Sequence, residues 1–127
     1  MIITIDRAWL LDLAHRSIPG DPDVTDFGSL QAATARHADK VMEHYVYPEP
    51  HHRAAALMHQ LIRVPALAHS NELFGAVVAA SYLTISGAVV TAGAKEVSLL
   101  AGRIAQDALD VRTVAEEIKG WTSRPRG

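Results

Sequence analysis

The sequence predicts an all-α fold, a helical bundle around a buried central helix, with one small β-hairpin. Three observations point there. Apolar residues recur at helical spacing along most of the chain. The segment from Glu72 to Ile85 is apolar nearly all round, as a helix enclosed by neighbours must be. Strand-forming residues gather in one short stretch, Val41 to Tyr47. A chain of 127 residues, 49% hydrophobic and 20% charged, has the size and composition for one core, so a single domain over 1–127 is expected.

Ile2 to Ile5 is a short extended segment. Asp6 caps a first helix carrying Trp9, Leu10, Leu13 and Ala14 and running to Ser17. The turn-rich run from Ile18 to Asp23 stops it. Thr25 or Asp26 caps a second helix with Leu30, Ala33 and Thr34, reaching Arg36 and His37. After the hairpin, Pro48 and Pro50 end the extended chain. Ala54, Ala55, Leu57, Met58, Leu61 and Ile62 mark an amphipathic helix from His51, broken at Val64-Pro65 because the ring removes a donor and restricts the preceding residue. Ser70 or Asn71 caps the apolar helix to Ile85, and Gly87 closes it. Ala88 to Thr91 is extended, Lys95 to Ala105 is helical, and Asp110 caps a last helix carrying Val114, Ile118 and Trp121. Thr122 to Gly127 is expected to fray.

Composition excludes several functions. Lys+Arg 12 against Asp+Glu 14 leaves no basic field for nucleic acid. Without cysteine there are no disulfides, thiolate nucleophiles or zinc–thiolate sites. The apolar run from Leu73 to Leu83, interrupted by Gly75 and Ser81, is too short to cross a bilayer. No basic region precedes an apolar core at the N-terminus, so a cytoplasmic protein without membrane partners is expected.

Four segments carry a resemblance: Asp23 to Arg36 (DVTDFGSLQAATAR), Arg53 to Arg63 (RAAALMHQLIR), Ser81 to Gly87 (SYLTISG) and Leu109 to Trp121. Their order and spacing resemble Doc-type (death-on-curing) Fic proteins over nearly the whole chain. The family's chemistry lies in a loop opening its central helix, of the form His-x-Phe-x-Asp/Asn-x-Asn-Lys/Gly-Arg. Counting back from Gly87 places that loop on Pro65 to Leu73. Pro65 then stands at the histidine base, Leu67 at the phenylalanine, His69 at the acidic metal ligand, Glu72 at Lys/Gly and Leu73 at the arginine; Asn71 matches.

Moving a phosphoryl or nucleotidyl group onto a hydroxyl requires a base, cationic groups for the phosphates and usually a metal. Proline accepts no proton, leucine pairs with no phosphate, and a glutamate repels one. His69 is not the hard oxygen ligand that Mg²⁺ prefers. An ATP-dependent transferase is therefore not expected.

The other candidates are weaker. Seven histidines invite a metal, yet His52 and His59 are seven apart and His44, His51 and His52 have no ligand spacing, so neither metal nor cofactor is expected. Asp12, Asp21, Asp23 and Asp26 read as caps and turns. Arg36, Lys40, Arg53 and Arg63 read as a solvated face, and Trp9 and Trp121 as core anchors. His69 and Glu72, three apart at the mouth of a helix, are spaced for an acid–base pair, with Ser70 or Asn71 as simple caps the alternative. Met42 to Tyr47 lies where the family has a flap hairpin lining a substrate groove; His44, Tyr45 and Tyr47 are the candidate contacts there, joined by Ser70 and Asn71.

The reading is a pseudoenzyme: a Doc-like protein without the transfer motif that keeps the fold and flap groove to bind a protein or peptide. One alternative is a repurposed enzyme of a modification or biosynthetic pathway, using His69 and Glu72. A second is an active Doc-like toxin, neutralised by an antitoxin, that modifies a translation factor. An apolar helix face also allows a homodimer.

Overall fold

The computed structural model describes residues 2–123. It is a helical bundle of α1 (Arg7–Ser17), α2 (Phe27–His37), α3 (Pro50–Arg63), α4 (Asn71–Ile85), α5 (Ala94–Asp107) and α6 (Val111–Lys119). Between α2 and α3 lies the antiparallel hairpin β1 (Lys40–Val41) and β2 (His44–Tyr45), in register Lys40↔Tyr45 and Val41↔His44. None of the described helices is long and apolar enough to cross a membrane.

Three aspartates start helices as expected. The carboxylates of Asp6, Asp26 and Asp110 accept from the amides of Trp9 (2.8 Å), Ser29 (3.1 Å) and Thr113 (2.8 Å). Each such cap is worth about 1 kcal/mol, by pairing an amide that has no partner inside the helix. Of the remaining acidic residues, Asp12 pairs with Arg16 and Asp21 with His15. Pro50 does not end the extended chain but opens α3 at its first position, where a missing N–H costs nothing.

The hub of the bundle is α3, which packs against α2, α4, α5 and α6. The sequence points instead to the segment from Glu72 to Ile85, because hydropathy alone favours the most apolar helix. Side-chain size decides otherwise: Ala54, Ala55 and Ala56 are fully buried and let neighbours close in on all sides of α3. On α4, Leu73 remains 45% exposed and Ile85 40%. The two helices come close together at Gly75, where a Cβ would lie 2.6 Å from Ile62 Cγ1 and 3.3 Å from the Met58 carbonyl.

Two further corrections concern the C-terminus and the cations. Thr122 does not begin a frayed end: β4 (Thr122–Ser123) pairs antiparallel with β3 (Val89–Val90). Residues 124–127 of that expectation lie outside the described residues. The last helix stops at Lys119, and buried Trp121 anchors this second strand pair by accepting at its carbonyl from the amides of Thr91 (2.7 Å) and Ala92 (3.2 Å). Arg53, expected on a solvated face, is only 2% exposed. Arg36 is half-buried and reaches Gln60 at 3.4 Å, while exposed Arg63 donates to the Ala105 carbonyl (3.0 Å) near the end of α5.

Candidate functional site: the loop before α4 and the hairpin

Residues 64–70 join α3 to α4, and the chain holds this loop from two sides. On one side it meets residues 23–26. Thr25 and Asp26 donate their amides to the Ala66 carbonyl (2.8 and 3.1 Å), and the Ala68 amide donates to Asp23 (2.9 Å). Val24 and Leu67 form an antiparallel bridge, and the Ser29 hydroxyl donates to the Val64 carbonyl. On the other side Asn71 closes the loop. Its Oδ1 accepts from the amides of Ala66 (3.1 Å) and Leu67 (2.9 Å), and its Nδ2 donates to the Leu67 carbonyl (3.0 Å). The asparagine that the sequence offered as a binding residue is engaged by its own loop.

Ser70 is the N-cap of α4, but its φ of +64° turns the hydroxyl away from the helix. The hydroxyl instead pairs with His69 Nδ1 at 2.8 Å. The His69 ring lies beside Gly20, where an added Cβ would sit 3.6 Å from it. Glu72 points elsewhere, its carboxylate 3.7 Å from the position a Cβ on Gly102 of α5 would take. His69 and Glu72 thus face different neighbours, and the hydrogen bond at the imidazole runs to Ser70 rather than to Glu72.

The hairpin is built at the other end of the hub. It leads into the N-terminus of α3, whereas the loop leaves its C-terminus, so their attachment points are about 20 Å apart along the helix axis. Lys40 Nζ stands 4.7 Å over the Tyr45 ring. Tyr45 and Tyr47 are half-buried and His44 is exposed. Tyr47 lines a cleft of about 380 Å³ with Val46, Pro48, His52 and, from α6, Val111, Arg112 and Ala115. At the tip, Met42 (φ +51°) and Glu43 (φ +69°) occupy left-handed backbone that normally favours Asn-Gly. Met42 is 87% exposed, beside exposed Val41 and Val46. The flap tyrosines therefore attach by the N-terminal end of α3 and the loop residues by its C-terminal end.

What holds the hairpin end is a polar group that sequence reading missed. Arg53 donates from one terminal nitrogen to the carbonyls of Tyr47 (2.9 Å) and Pro48 (2.8 Å), and from Nε to the Tyr82 hydroxyl (2.6 Å). The Tyr82 hydroxyl donates to the Ile3 carbonyl. Beside it, buried His37 accepts at Nε2 from the Ile5 amide (3.0 Å), which leaves Nδ1–H to donate to the Thr34 carbonyl (2.5 Å). Spacing held the signal: Arg53 falls on the apolar face with Leu57 and Leu61, Tyr82 with Phe74 and Val78, and His37 with Leu30 and Ala33.

Burial pushes the His37 imidazole below its ordinary pKa, and the Arg53 charge adds to this. His59 is lowered by burial and then by Arg36, and His51 by burial and then by His52 and Lys119. The Thr113 hydroxyl and amide hold Asp110 below the usual carboxylate range. Among the described residues no three His, Asp or Glu side chains gather as metal ligands would.

The chain is 29% identical to a Toxin Doc. That protein comes from Mycolicibacterium smegmatis, and the match runs over 121 residues, 94% of this chain and 93% of the relative. It is a weak similarity over nearly full length, and it points to a distant relationship with the Fic/Doc superfamily. No protein-family model matches the chain.

Proposed function

We propose that this chain is a Doc-like protein without group-transfer activity that works by binding a protein or peptide partner through its hairpin. The observation that carries the reading is the hairpin itself: a two-stranded element to which no further strand pairs among the described residues, presenting Val41, Met42 and Val46 to solvent. Open strand edges bind extended peptides by main-chain hydrogen bonds, and neighbouring apolar side chains supply the contact area. Left-handed backbone at both tip residues costs on the order of 1 kcal/mol each, a strain compatible with a recognition element.

The loop before α4 supports the other half. Pro65 and Leu73 stand where the resemblance puts a base and a phosphate-binding cation, and residues 64–73 contain no lysine or arginine. Asn71 is turned inward onto the loop. A phosphate placed there would find no lysine or arginine in the loop to bear its charge.

Two measurements test the proposal together. Expression of the chain is expected to leave growth unaffected, with no label passing from radiolabelled ATP to lysate proteins; transfer would overturn it. Peptides selected from a displayed random library are expected to bind the wild type and to lose binding in Met42→Asp, Tyr45→Ala and Tyr47→Ala, but not in His69→Ala. Selected peptides that ignore the hairpin substitutions would equally overturn it.

A further inference from the structure

A cleft of about 310 Å³ runs between α4 and α5 and is closed at one end by β3. Its walls are Leu73, Ala76, Val77, Val90, Val97 and Ala101. It exists because α4 is apolar on this face while the facing side chains are too small to meet, so the two helices leave a gap that larger residues would fill. One charged side chain lines it, that of Glu72. Glu72 lies in the first turn of α4, where the helix amides favour a negative charge, and Gly102 leaves room for its carboxylate against α5. Among the described residues no cation pairs with it.

We infer that this cleft is a binding site for a small amphiphilic cation: an aliphatic chain in the α4–α5 gap with its ammonium group on Glu72. Charge complementarity selects the ligand class. The walls take the hydrocarbon tail whatever its head group, but a single carboxylate at the mouth attracts an ammonium, gains only an uncharged donor from an alcohol and repels a carboxylate. The volume suits a chain of about eight carbons, at the small end of ligand pockets. The site stands apart from the hairpin, so this inference does not depend on the peptide-binding reading.

The test uses the full chain and three probes of one length: octylamine, octan-1-ol and octanoate, each titrated calorimetrically at pH 7. Octylamine is expected to bind about tenfold more tightly than octanol, with octanoate weakest. Glu72→Gln should bring amine and alcohol to the same affinity. Ala80→Leu, which fills the cleft, should weaken both, and Ser98→Phe on the exposed rim provides a second block should the first variant not fold. The inference is overturned if octylamine shows no saturable binding, if octanol or octanoate matches it, or if Glu72→Gln keeps the preference. It is overturned too if sedimentation shows a wild-type dimer that Ala80→Leu dissociates, since a second copy would then cover the cleft.

Discussion

The Nε of Arg53 lies 2.6 Å from the hydroxyl of Tyr82, and both side chains are buried. Through this contact α3, α4, the N-terminal segment and the hairpin end share one polar junction, because the same arginine holds Tyr47 and Pro48 while the tyrosine holds Ile3. A buried cation among carbonyls and one hydroxyl survives only if each donor is matched. Tyr82→Phe removes the acceptor for Arg53 and the donor for Ile3. It should lower stability by about 2–3 kcal/mol, read as a reduced urea midpoint. Arg53→Met should release the hairpin selectively, so that amide exchange accelerates over residues 40–48 and stays slow in α4. Uniform acceleration across the chain would show that the arginine is not a local strut.

Stability should fall as pH drops through the histidine range. His37, His51 and His59 all have pKa values lowered in the fold, so the unfolded chain binds more protons and acid favours it. Their contribution is complete above the unfolded value of about 6.5 and is lost progressively as pH falls below it toward the folded values. Each group adds at most about 1.4 kcal/mol per pH unit. Most should come from His37, since His51 and His59 are half-exposed and screened. Protonating His37 would also set an N–H against the Ile5 amide. Urea midpoints measured from pH 7.5 to 5 should therefore decline, and His37→Gln should flatten the decline. A midpoint that rises on acidification would contradict this assignment.

Gly75→Ala tests how tightly α3 and α4 approach. The methyl gains about 1 kcal/mol of helix propensity but meets Ile62 at 2.6 Å, and overpacking costs about 1–3 kcal/mol. The expected net effect is a loss of about 1 kcal/mol. In an Ile62→Ala background the same change should become neutral or stabilising. Equal losses in both backgrounds would mean that the contact is not the cause.

Asn71→Ala should loosen the loop rather than the bundle. Three hydrogen bonds to Ala66 and Leu67 disappear, a loss of about 2 kcal/mol. Asn71→Asp keeps the acceptor for both amides and should recover more than half. Exchange at the amides of Ala66 and Leu67 reports it directly, and protection unchanged in Asn71→Ala would remove the asparagine from this role.

Periodicity, caps and breakers sufficed for the helices. Asp6, Asp26 and Asp110 start their helices because a carboxylate one residue before a helical run finds free amides whatever surrounds it. Val64-Pro65 ends α3 and Gly87, at φ +92°, follows α4 for equally local reasons. The hairpin observed at 40–45 was legible too, from the strand-forming run Val41 to Tyr47. Packing depends on distant partners, and there local reading stops. Which helix becomes the hub followed from the buried alanines of α3 and from Gly75 of α4, which lets Ile62 and the Met58 backbone approach, not from hydropathy. Arg53 looked like a surface cation because its partners Tyr47, Pro48 and Tyr82 come together only once three segments have folded. In the same way His69 and Glu72 are neighbours in sequence at a helix mouth, yet one turns to Ser70 and Gly20 and the other to Gly102. What a side chain faces is set by the elements packed beside it, and those arrive only with the tertiary structure.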